Sequence, residues 1–65
     1  MENSTENYVL HDCRKTQKMI TIYMVNGFKL TGSISSFDDR CIELVDEDGY
    51  RKLLYKNAIS TISFH

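Results

Sequence analysis

The sequence predicts a mainly β fold, with an N-terminal α-helix on a strongly bent, five-stranded antiparallel, barrel-like sheet. Three observations point there. Residues 20–38 alternate apolar and other side chains on both sides of Asn26-Gly27, the strongest short-range signal for a hairpin. Before this run, Val9, Leu10 and Cys13 are spaced to form one apolar stripe on a helix. After it come short apolar runs separated by turn residues, with no proline to forbid ladder pairing.

The helix is expected over about residues 4–17. Ser4 or Thr5 can cap its start, and Glu6 in the first turn is favoured by the helix dipole. Arg14, Lys15 and Lys18 gather at its other end, where positive charge is favoured for the same reason; the cluster reads equally well as a basic patch that touches phosphate.

From Ile20 the period switches to two, with strands over residues 20–25 and 28–37. Gly32 lies inside the second strand, where glycine marks a bulge or sharp bend and suits a small, curved barrel. Residues 41–45 form a third strand. The charged turn Asp46-Glu47-Asp48-Gly49 leads to a fourth strand over 50–55, and a corner at Lys56-Asn57 leads to a fifth over 58–63. The fourth and fifth strands offer open edges, and an open edge is a template for another chain. If that head-to-tail contact closes on itself, the product is a ring.

The chain has 65 residues and reads as one domain, residues 1–65. A chain of this size buries only about 60% of the surface that its unfolded form exposes, so staples or self-association are expected to support it. Staples are not indicated. Cys13 and Cys41 form no CxxC pair and suit a reducing cytoplasm; His11 and Cys13 lack a matching second pair, so no metal site is assigned. Self-association is the expected support. The polar, acidic first residues do not make a signal peptide, and no apolar run approaches the ~20 residues of a membrane span. The reading is a cytoplasmic protein without a membrane partner. Eight basic and nine acidic residues give a net charge of −1, so bulk charge offers no support for nucleic-acid binding. Such binding would need local patches or repetition in an oligomer. No nucleophile–base pair is visible, and Asp46-Glu47-Asp48 reads as a solvated turn, so no enzyme chemistry and no cofactor are assigned.

Two blocks carry a family resemblance. Tyr23-Met24-Val25-Asn26-Gly27-Phe28-Lys29-Leu30-Thr31-Gly32, continued by Ser36-Phe37-Asp38, resembles the first Sm motif of the bacterial RNA chaperone family Hfq. Leu54-Tyr55-Lys56-Asn57-Ala58-Ile59-Ser60-Thr61-Ile62 resembles the second, in order and at the right separation, so the resemblance covers roughly residues 6–63. It implies an Sm-like fold, a homo-hexameric ring closed by pairing of the fourth strand with the fifth, and regulation through binding of small RNAs and messenger RNAs. In a ring, one cation or aromatic per subunit becomes a circle of them, and single strands bind such surfaces by base stacking and phosphate contacts.

The resemblance also distributes site residues over three surfaces. A distal face for adenine-rich strands takes Tyr23, Gly27, Phe28, Lys29 and Leu30, with Ser60 and Thr61. Tyr23 and Phe28 offer flat faces to purines, Leu30 an apolar wall, Lys29 a phosphate contact, and Thr61 a group for a base edge. Alternation supports an outward Tyr23, because Ile20, Ile22 and Met24 already supply the opposite face. A proximal face for uridine-rich strands takes Glu6, Asp39, Arg40, Lys56 and Asn57, and here the chain departs from the family. Asn57 replaces the usual histidine, Asp39-Arg40 replaces glutamine and an aromatic, and Glu6 stands for the usual uracil-reading glutamine. Asp39 and Glu6 would repel phosphate while Arg40 and Lys56 attract it, so uridine binding is expected to be weak or altered. A lateral rim takes Arg14, Lys15 and Lys18, with Arg14 best suited to phosphate. The chain stops at His65 just after the fifth strand, so no tail-dependent behaviour is expected. Two other readings stay open: a divergent relative whose ring binds protein, and a subunit that mixes with other Hfq-like chains.

Overall fold

In the computed structural model, which describes residues 4–65, the chain order is α1 (Thr5–Thr16), β1 (Ile20–Met24), β2 (Lys29–Phe37), β3 (Cys41–Asp46), β4 (Arg51–Tyr55), a 3-10 turn (Lys56–Ala58) and β5 (Ile59–Ser63). The expected elements form, with ends displaced by a residue or so. Residues 1–3, to which the leader argument applied, lie outside the described residues. No helix among the described residues is long and apolar enough to cross a membrane.

Ser4 caps α1: its side-chain oxygen accepts the Asn7 N–H at 3.0 Å. At the other end Gln17 takes the left-handed conformation, φ 58°, and its N–H closes on the Cys13 carbonyl at 3.0 Å. The apolar stripe meets the sheet as the spacing requires. Leu10 and Cys13 are fully buried with Ile20, Ile22, Ile34, Ile42 and Leu44, Leu54 is buried beside them, and Val9 packs half-buried against the group. Burial also pushes the Cys13 thiol pKa up, as suits an inert core thiol.

The strands form one antiparallel sheet in the order β4-β3-β2-β1-β5, so β4 and β5 are its two edges. Asn26-Gly27 does turn the first hairpin, but in a three-residue loop. The Met24 N–H donates to the Phe28 carbonyl at 2.8 Å, the Gly27 N–H donates to the Met24 carbonyl at 3.0 Å, and Gly27 has φ 97°. Val25 therefore belongs to the turn, and Phe28 closes it opposite Met24 just before β2. The β3–β4 connection repeats this geometry. The Asp46 N–H donates to the Tyr50 carbonyl at 2.9 Å, and the Gly49 N–H donates to the Asp46 carbonyl at 3.0 Å.

The bend arises elsewhere than expected. The bulge in β2 falls at Ser35, the extra residue between the Ile34–Leu44 and Ser36–Glu43 pairs, and not at Gly32. Gly32 serves close approach: a Cβ there would collide with the Val45 carbonyl. A second bulge places Ser60 between the Tyr23–Thr61 and Met24–Ile59 pairs.

Candidate nucleic-acid interface

Alternation along β1 sends Ile20 and Ile22 into the core and leaves Tyr23 40% exposed on the opposite face. Register then gives Tyr23 its neighbours. It pairs with Lys29 of β2 on one side and Thr61 of β5 on the other, so a cation, a phenol ring and a hydroxyl stand in one row across three strands. Ser60, displaced by the bulge, adds a second hydroxyl, with its Oγ 3.1 Å from Thr61 Oγ1. At the hairpin tip Phe28 is 67% exposed, held by its N–H donating to Asn26 Oδ1 at 3.1 Å. Gly27 beside it has open space around its Cα. Leu30 departs from expectation. It pairs with buried Ile22 and sits half-buried against the core, so alternation keeps it out of the Lys29–Tyr23–Thr61 row.

A second group assembles where the β2–β3 loop meets the 3-10 turn. Asp38 accepts the N–H groups of Arg40 and Cys41, each at 2.8 Å, and the Lys56 N–H donates to the Arg40 carbonyl at 2.8 Å. Those backbone donors, Arg40 first, hold the Asp38 carboxyl below its ordinary pKa, with help from the Lys56 and Arg40 charges. The turn presents Asp39, Arg40, Tyr55, Lys56 and Asn57 around a depression of about 260 Å³. Glu6 joins it from the first turn of α1, with its Oε2 2.7 Å from Lys56 Nζ. The same ammonium lies 5.8 Å from the centroid of the Phe37 ring. All of the residues expected on the proximal surface are thus brought together. Tyr55, 56% exposed, is an addition that sequence reasoning missed.

The helix flank forms a third surface. Arg14 and Lys15 line an open depression of about 590 Å³ with Tyr8, His11, Asp12, Gln17 and Ser35. Lys18 does not join them. Its ammonium donates to the His65 carbonyl at 2.7 Å and lies 3.3 Å from Asp12 Oδ2, so it is spent on linking His65 to the helix. Tyr8, 75% exposed, and His11 were not anticipated; their signal is the helical spacing that sets both on the flank carrying Lys15. The His11 ring meets Phe37 edge-on, with centroids 5.0 Å apart.

A helix on a five-stranded, bulged antiparallel sheet with a polar and aromatic outer row defines the Sm-like class. The family description "Hfq protein" matches residues 6–65. The chain is 46% identical over 57 residues to the RNA-binding protein Hfq of Mesorhizobium japonicum, covering 88% of this chain and 69% of that one. It is equally similar, at 46% over 57 residues, to the RNA-binding protein Hfq of Brucella ovis, covering 72% of that chain. Among solved structures, one described as the pleiotropic translational regulator Hfq superposes with a TM-score of 0.90 at 30% identity, covering 94% of this chain and all of that one. An Hfq protein from Anabaena sp. shares the fold, with a TM-score of 0.83 at 22% identity over 92% and 95% of the two chains. The chain belongs to the Hfq family.

Proposed function

We propose that the protein is a cytoplasmic RNA chaperone whose assembled ring binds adenine- or purine-rich single strands on the face that carries Tyr23. It would bring small RNAs and messenger RNAs together without covalent chemistry. The observation that carries this reading is the Lys29–Tyr23–Thr61 row. The row sets a cation, an aromatic ring and a hydroxyl side by side, with Phe28, Gly27 and Ser60 nearby, a combination suited to phosphate contact, base stacking and base-edge reading. Membership of a family whose relatives are named RNA-binding proteins supports it.

A homo-hexameric ring supplies the repetition that a chain of net charge −1 needs. Its support is the sheet order, which leaves β4 and β5 as opposite edges, with Leu53 and Tyr55 of β4 exposed beside the unpaired backbone. The depression at Lys56 and Asn57 is the weakened uridine face, and Arg14 and Lys15 make rim contacts to phosphate. Titration of the native assembly with oligo-adenosine and oligo-uridine tests the reading: tighter binding of oligo-adenosine is expected, and equal or absent binding would refute it.

A further inference from the structure

Glu6 and Lys56 stand 50 residues apart in the chain, yet their charged atoms meet at 2.7 Å. The contact is placed by the fold rather than by chance of sequence. Lys56 is fixed at both ends of its length: its N–H is bonded to the Arg40 carbonyl, and its ammonium lies near the Phe37 ring. Its side chain is 16% exposed, whereas that of Glu6 is 57% exposed and can swing away. The anion is therefore the movable partner and the cation the fixed one. Arg40 and Asp39 line the same depression, but the direct cation–carboxylate contact there is the one between Lys56 and Glu6. An acceptor that takes up the Lys56 ammonium must displace Glu6.

We propose that Glu6 is a tethered competitor for the anion seat at Lys56, and that it, rather than the loss of an aromatic or a histidine nearby, sets how weakly this surface binds uridine-rich RNA. The carboxylate stands where a phosphate or a uracil carbonyl would otherwise accept from the ammonium. Because each subunit carries the same contact, a small penalty at one site is multiplied along a strand that spans several. This inference rests on the RNA-binding reading above.

The test compares native assemblies of the full chain as wild type, Glu6→Gln, Lys56→Gln and the double variant, with oligo-uridine at several salt concentrations. Glu47→Gln serves as a control, since it removes the same charge from the β3–β4 turn. Glu6→Gln is expected to tighten oligo-uridine binding about five-fold or more, and to steepen its salt dependence as Lys56 engages phosphate. The gain should be absent from the double variant and from Glu47→Gln. Unchanged binding in Glu6→Gln, or a gain that survives loss of Lys56, would overturn the proposal. Native mass shows that each variant still assembles. Oligo-adenosine binding by the wild type reports separately on the parent reading: its absence would count against that reading, while its persistence with an unresponsive Glu6→Gln would count against this inference alone.

Discussion

The Val45 carbonyl occupies the space that a Cβ on Gly32 would need. This contact lets β2 pass close to β3 just before the Ser35 bulge, where the sheet bends. Gly32→Ala must push two backbones apart, with Leu44 also in the way. It is expected to destabilise the fold by about 1–3 kcal/mol, measured by chemical denaturation. An unchanged midpoint would show that the ladder can give.

Tyr23→Ala should weaken oligo-adenosine binding by about 1–3 kcal/mol for each base it stacks, with native mass and thermal unfolding little altered because the ring faces away from the core. Lys29→Ala should act differently, lowering affinity for all sequences and flattening the dependence on salt. Anisotropy titrations at two salt concentrations separate the two effects.

Gln17 holds a left-handed backbone at the end of α1 without being glycine. Gln17→Gly removes that strain but also loses the bond from Gln17 Nε2 to the Arg14 carbonyl. The expected balance is a gain of about 0.5 kcal/mol, read as a small rise in Tm.

Acid should destabilise the fold through three carboxylates. Asp38 is held low by the Arg40 and Cys41 N–H groups, and Glu43 by Ser35 and then Arg51. At Asp46 burial pushes the pKa up but is outweighed by the Tyr50 N–H, Lys52 and the Asp48 N–H. In the unfolded chain these groups take up protons near their ordinary values of 4.5 for Glu and 3.8 for Asp, and in the folded chain only at lower pH. The unfolded state thus binds more protons in between. The stabilisation is complete above those values and is lost as pH falls through 4.5 and 3.8 toward the lower folded values. Denaturant midpoints across this range check it, and Asp38→Ala should blunt the fall.

The order and kind of the helix and the five strands could be read from the change of period at Ile20 and from the turn residues, because burial of one face dictates both; Lys56-Asn57 read only as a corner and is a 3-10 turn. The outward Tyr23 followed from the same alternation. What escaped depends on register. The Ser35 and Ser60 bulges have no local residue signature, since they relieve a bend set by the whole sheet. Asn26-Gly27 marked a turn but not its three-residue loop, which is fixed by the Met24–Phe28 pairing. Leu30 was placed with Tyr23 by family pattern, whereas pairing with Ile22 turns it toward the core. The Glu6–Lys56 and Lys18–His65 contacts join distant segments, and no spacing rule reaches that far.

Native mass spectrometry of the chain, alone and with oligo-adenosine, bears most directly on the central claim that β4 and β5 edges close a ring whose repeated Tyr23 rows hold RNA. The account predicts a species about six times the 7.6 kDa chain that gains the mass of bound oligo-adenosine, and loses that gain on Tyr23→Ala while keeping its size. A monomer at working concentration, or a ring that takes up no oligo-adenosine, would contradict it.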